Sequence, residues 1–345
     1  MTLNGSCHIV DLSNSSNYFC ARTNHPFLLT LWYYASVTVS YLGAFMCALV
    51  IAAIIIQHLV RKGSHFLIIH LFAIIFTVNG VIHPVFTVSG YYDSLQLSSA
   101  ACRGMYFIYT LFGSVAVWSE LFLNINRLTA IIRPQSHFVN TDAHRRSVKG
   151  TVLASWMISL ALTCPILSHK VMQANSVQPW GFCDILPVSR GGRWYFTVFG
   201  TLSMMLPASG MVLSCAALTF ILVKKKNRIR NTGLPNRVLA RNSADRLILS
   251  KIFFAAAVWT ITCYLPRIIV SVYHGNKVYR DYPTLMLLTR WFSFFGTLGS
   301  PAMFLMLGKS YRQGAYKCLH LMVLCVSCKK QSPEQPTNLE LTGRT

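Results

Sequence analysis

Asn126-Arg127-Leu128-Thr129-Ala130-Ile131-Ile132-Arg133-Pro134 closes the apolar run Met105–Ile125. An arginine therefore stands where a membrane-spanning helix would emerge from lipid. At the bilayer centre a lone arginine costs on the order of 3 kcal/mol on insertion scales. At the edge its stem lies along apolar surface while the guanidinium reaches water and can meet a partner there. Cys102 lies 25 residues before Arg127, which is about 37 Å of helix at ~1.5 Å per residue. That slightly exceeds a hydrocarbon core of about 30 Å. Cys102 and Arg127 thus mark opposite faces of one membrane.

The rest of the chain agrees with that reading. Of its 345 residues, 53% are hydrophobic and 12% charged, with a mean hydropathy of +0.46. A soluble globular protein carries about twice that charge. Seven apolar segments have spanning length: approximately Phe27–Gln57, Phe66–Gly90, Met105–Ile132, Thr151–Leu167, Trp194–Val223, Leu247–Tyr273 and Leu285–Leu307. The last two are the weakest, because Arg267 and Arg290 fall inside them. Backbone polar groups in lipid must be satisfied within their own segment, so the segments are expected to be helices. The alternation of a membrane barrel is absent. The expected fold is an all-α membrane protein, a seven-helix bundle.

The net charge of +22 raises nucleic acid as a partner, but its distribution points to a membrane. With the N-terminus outside, the three inner loops and the tail hold 21 of the 31 Lys and Arg, nine of them in Lys224–Lys251. This positive-inside bias sets the expected orientation, N-terminus outside and C-terminus inside. The same basic residues attract anionic lipid. No soluble domain interleaving basic and aromatic residues is present to bind nucleic acid.

Residues 1–26 form a polar tail without the apolar core of a cleaved signal peptide. It holds the two N-x-S/T sequons, at Asn4 and Asn14, where glycosylation would require an outside location. Cys7 and Cys20 either pair there or stand as two unrelated thiols. The helical domain is expected over residues 27–308, an interfacial helix over 309–328 and a disordered inner tail over 329–345. The interfacial reading rests on the apolar run Leu319–Val326 and its basic surroundings. Cys318, Cys325 and Cys328 are candidate palmitoylation sites in it.

Inside the spans the polar residues are few. His70, Asn79 and His83 lie in the second, either functional or bonding between helices. Glu120 is the one acid deep in any span, two turns before Arg127, with Asn124 at i+4. It either stabilises one packing state of the bundle or stays protonated and hydrogen-bonded without switching anything. Tyr106, Tyr109 and Thr110 in the third span, Tyr264 and Arg267 in the sixth and Arg290 in the seventh would line an outer cavity. Two arginines over an aromatic cavity suit a small anionic ligand. The alternative is that they snorkel outward or pair with Asp281. Cys102 and Cys183 are the cysteines near outer helix ends after the first span. A disulfide between them would pin the Ser168–Arg193 loop over the mouth of the bundle.

Together these landmarks resemble the rhodopsin-like family of seven-helix G-protein-coupled receptors. In that family the third helix begins with a disulfide cysteine and ends in Asp/Glu-Arg-Tyr, often followed by Ala-Ile and Pro. Arg127, Ala130-Ile131 and Pro134 keep that pattern. Cys263-Tyr264-Leu265-Pro266 is similar to the sixth-helix Cys-Trp-x-Pro, and Ser300-Pro301-Ala302-Met303-Phe304 to the seventh-helix Asn-Pro-x-x-Tyr. Trp156 and Pro207 match landmarks of the fourth and fifth.

The resemblance implies a role for each. Arg127 would meet the C-terminus of a G-protein α subunit when the sixth helix swings away, with Pro266 and Pro301 at the kinks. The departures are Asn126 for the acid before the arginine, Ile74-Ile75 where the second helix should carry aspartate, and Ser300. They remove the arginine's charge partner and the family's internal sodium site. Such divergence is similar to nematode serpentine chemoreceptors, and within them to the group that includes classes G and V.

The expected function is a chemosensory receptor in the plasma membrane, a sensory cilium being one placement. Its partners would be a small ligand, lipid and a heterotrimeric G protein. The alternative is a ligand-gated cation channel of the seven-helix insect type, which places its N-terminus inside. A transporter would show internal repeats, and none are found. No His-box, metal-spaced cluster or Ser/His/Asp set argues for an enzyme or a cofactor.

Overall fold

The computed structural model describes residues 26–57, 64–92, 98–132, 141–168, 172–177, 182–187, 190–231, 237–274 and 282–330. The first span is α1, Pro26–Ile56. The second is α2, Ser64–Thr77, a π-turn at Val78–Ile82 and α3, His83–Tyr91. The third is α4, Ser99–Ile132, and the fourth α5, Thr141–Thr163, finished by a 3₁₀ turn over Cys164–Leu167. The fifth is α6, Arg190–Gly200, a π-turn at Thr201–Met205 and α7, Leu206–Asn231. The sixth and seventh are α8, Arg237–His274, and α9, Pro283–Leu307. After them α10, Lys309–Lys330, leaves α9 at 95°.

Among the described residues five spans are long and apolar enough to cross a membrane by themselves. In the sixth the described side chains include the apolar stretch Phe254–Val270, and the seventh passes together with α10 as a bent pair.

Two local features differ from expectation. The basic stretch Lys224–Lys251 continues α7 and begins α8, leaving only residues 232–236 between them outside the description. Lys, Arg, Leu and Ala are good helix formers, and a helix can continue beyond lipid into water. The Ser168–Arg193 connection also contains an antiparallel hairpin, β1 Met172–Val177 with β2 Phe182–Pro187, in register from Met172↔Pro187 to Val177↔Phe182. It lies against α4 and α3, so the spans are helical but this connection is not.

The largest buried cluster fills the half of the bundle nearer Arg127. Phe72 and Phe304, both fully buried, meet edge to face at 5.0 Å, and Phe304 meets Tyr311 of α10 at 5.1 Å. Without a hydrophobic drive between helices in lipid, close packing and small residues hold them together. Gly314 of α10 sits on Ala53 of α1, where an added Cβ would stand 2.6 Å from the Ala53 methyl. Gln57 Nε2 donates to the Ser310 carbonyl at 2.7 Å, fastening the same corner. Phe27, Leu31, Phe45, Leu213 and Phe220 point outward, as a lipid-facing surface requires.

Candidate functional site

The cavity lies in the half of the bundle nearer Cys102, lined by Trp32, His83, Phe86, Tyr109, Arg290 and Phe294. These come from the first, second, third and seventh spans. The π-turn Val78–Ile82 builds its second-span wall. An extra residue in a helical turn rotates every later side chain by about 100°, and His83-Pro84 comes directly after it. His83 is fully buried, with its ring 4.3 Å from Phe294 and 5.6 Å from Tyr109. Asn79, inside the same turn, accepts a 2.6 Å hydrogen bond from Thr297 of α9. It also presses on α1, where a Cβ on Gly43 would come within 2.5 Å of Asn79 Nδ2. The second span is thus locked to the first and seventh directly beneath the cavity.

Arg290 is buried, so it does not snorkel outward, while Arg267 is half-buried. Both guanidinium charges act on His83. Asp281, offered as their partner, lies outside the described residues. Of the other residues expected to bind ligand, only Tyr109 lines the cavity. Tyr106 is buried among Val78, Ile82, Phe86 and Ile166. The Thr110 hydroxyl donates to the carbonyls of Tyr106 and Phe107 on its own helix, at 2.8 and 3.0 Å. Tyr264 stands one level deeper, its ring against Gly296, where a Cβ would lie 2.6 Å away. It is within electrostatic reach of Tyr109, Arg267 and Glu120. The water-accessible volume of the cavity is about 10 Å³, room for about one water molecule.

At mid-bundle Ser300 donates to Glu120 Oε1 at 2.6 Å, joining the third and seventh spans. Asn124 does not pair with the Glu120 side chain as its i+4 spacing suggested. Its Nδ2 donates to the Glu120 backbone carbonyl at 2.9 Å, and its Oδ1 accepts from Cys215 Sγ of α7 at 3.4 Å. The helix geometry leaves the carboxyl free to cross to α9. Trp259 of α8 lies over Gly299 and donates from Nε1 to the Phe295 carbonyl at 2.8 Å. Pro266 and Pro301 both sit inside continuous helices.

At the far end Arg127 and Asn126 are half-buried on the last turns of α4. The Arg127 charge acts on Tyr311 of α10. Burial pushes the Tyr311 phenol up to about 12, with Arg127 pulling the other way. Tyr311 packs on Phe304, four residues beyond Ser300 on α9.

Cys102 is buried and does not appear among the free thiols of the described residues. Cys183 stands in β2 opposite Ser176, and its side chain lies outside the description. Cys318 is half-buried on α10. The side chains of Cys325 and Cys328 lie outside the description, as do the whole of Asn4 and Asn14. No metal-holding group of His, Cys, Asp and Glu occurs among the described residues.

A family model described as "7 transmembrane receptor (rhodopsin family)" matches residues 46–303, the whole bundle from mid-α1 to Met303. The chain belongs to the rhodopsin family of seven-transmembrane receptors, signalling proteins rather than enzymes, and the channel alternative falls away. The pineal opsin of Petromyzon marinus is 22% identical over 317 residues, covering 90% of this chain and 67% of that protein. Opsin-VA of Rutilus rutilus is 24% identical over 334 residues, covering 94% of this chain and 81% of that protein. In fold the chain is similar to squid rhodopsin. The TM-score is 0.71 at 14% identity, covering 90% of this chain and 93% of that structure.

Proposed function

We propose that this receptor binds a small, anionic, amphipathic ligand in the half of the bundle nearer Cys102 and activates a heterotrimeric G protein through Arg127. Its N-terminus lies outside and the basic Arg127 end inside the plasma membrane. A disulfide from Cys102 to Cys183 pins the hairpin over the ligand entrance. Asn4 and Asn14 carry glycans, and Cys318, Cys325 and Cys328 are acylated where α10 lies on the inner surface.

The observation that carries the reading is a series of contacts and electrostatic interactions that leads from the cavity to the Arg127 end. Tyr264 is within electrostatic reach of Tyr109 and Arg267 and also of Glu120. Glu120 is held by Ser300 on α9, and α9 returns to Arg127 through Phe304 and Tyr311. A helix that moves at the cavity therefore disturbs the third-to-seventh contact at Glu120 and, through Phe304, the contact of Arg127 with Tyr311 on α10. With Asn126 in place of an acid, Glu120–Ser300 takes over as the tie that favours one packing state. A chemosensory role is supported by the same departures, at Asn126, Ile75 and Ser300, through which the chain is similar to nematode serpentine receptors.

Coupling is tested by GTP exchange on a panel of purified Gα subunits, with the receptor in nanodiscs and with small organic acids as candidate ligands. Exchange above that of empty nanodiscs on at least one Gα supports the proposal. None on any subunit, basally or with any acid, contradicts it.

A further inference from the structure

His83 is fully buried, and neither of its ring nitrogens has a hydrogen-bond partner. A neutral imidazole presents one N–H donor and one bare nitrogen, and groups of this kind are expensive to leave unmade away from water. The ring faces are covered by Phe294 and Tyr109, and the residue lines the small cavity beside Arg290. None of the six lining residues is acidic. The charges of Arg267 and Arg290 both reach this point, in surroundings where charges interact more strongly than in water.

We infer that the crevice between the first, second, third and seventh spans is a carboxylate subsite, with His83 and Arg290 as its two anchors. The inference rests on the ligand-binding half of the proposed function. It adds the place where the acid group sits and a second anchor on the second span.

A carboxylate accepts the forked guanidinium of Arg290 and the imidazole N–H together, in charge-assisted bonds. A cationic ligand meets two like charges and is excluded. A carbonyl ligand held as a Schiff base needs a lysine amine, and none lines the cavity. The crevice has room for about one water molecule, so the acid group displaces that water and its walls open slightly to take it, while nothing larger than the acid tip enters. The body of the ligand lies outward, towards Tyr91, eight residues or about 12 Å of helix beyond His83, where Tyr33 stacks on Tyr91 at 4.2 Å. An aromatic or short aliphatic body suits those walls.

The test uses the full chain in nanodiscs without G protein, so its result is independent of coupling. Phenylacetate, phenylacetamide and phenethylamine are added at equal concentrations, and thermal unfolding is followed. Phenylacetate is expected to raise the unfolding temperature of the wild type, and the amide and amine to leave it unchanged. His83→Phe keeps a ring in place and removes the donor, which is expected to weaken phenylacetate binding at least about tenfold. His83→Asn keeps an N–H and is expected to retain part of the shift, which guards against a folding defect in the phenylalanine variant. Equal shifts in wild type and His83→Phe overturn the inference. A wild type that does not respond to phenylacetate, or responds equally to acid and amide, also overturns it and leaves the crevice as a water site only.

Discussion

Deleting one oxygen, by Ser300→Ala, probes the tie between the third and seventh spans with the smallest possible change of volume. The hydroxyl donates to Glu120 Oε1 at 2.6 Å, and both residues are buried. A neutral hydrogen bond is worth about 0.5–1.5 kcal/mol net, and one to a charged group about 1.5–3. Measured polar contacts between membrane helices average nearer 0.6 kcal/mol, with about 1.7 as a maximum. About 1 kcal/mol is the working value, since the geometry is short and the site buried. If the bond exists in the packing state described here and is broken in the signalling state, its loss shifts that equilibrium by about fivefold. Basal GTP exchange at matched surface expression should rise by that factor as long as the signalling state stays in the minority. Glu120→Gln leaves an acceptor for Ser300 but weakens it, so a smaller rise is expected. The double variant should fall short of the sum of the two, with a coupling energy of at least about 0.5 kcal/mol. Unchanged basal exchange in both single variants, or strict additivity, refutes the idea that this contact holds a state.

Three further outcomes arise from the packing. Gly299→Ala places a Cβ inside the Trp259 ring, so surface expression should fall sharply, and Trp259→Ala in the same chain should restore part of it. His70→Leu removes the acceptor of the 3.0 Å bond from Trp156 Nε1 and should lower the unfolding temperature, by about 1 kcal/mol of stability. His70→Asn, which keeps an acceptor, should cost less. Cys102→Ser and Cys183→Ser should give the same loss of surface expression, with no further loss in the double variant. Additive losses would show that the two cysteines are not partners.

Much of the architecture was legible because it stems from local chemistry. The Arg127–Pro134 stretch and the distance back to Cys102 place one helix across a membrane, and the apolar runs locate the other six. The cavity was only half legible. Tyr109 and Arg290 could be proposed from depth along their helices, but Trp32, Phe86 and Phe294 look like ordinary core residues in sequence. Which face each helix turns inward depends on the π-turn at Val78–Ile82, and an inserted residue is invisible to helical periodicity. His83 carried the available signal, a polar residue inside a span beside a proline. Glu120 stood out as the lone deep acid, yet its contact with Ser300 spans 180 positions. Only the packing of α4 on α9 brings them together, so sequence spacing pointed to Asn124 instead.

The central claim is that the Arg127 end drives a G protein. It is tested most directly by comparing GTP exchange for the wild type and Arg127→Ala at equal surface expression, on whichever Gα responds. The account predicts that exchange falls in the variant to the level of membranes without receptor, while phenylacetate still shifts its unfolding temperature. Exchange in Arg127→Ala equal to the wild type would contradict it.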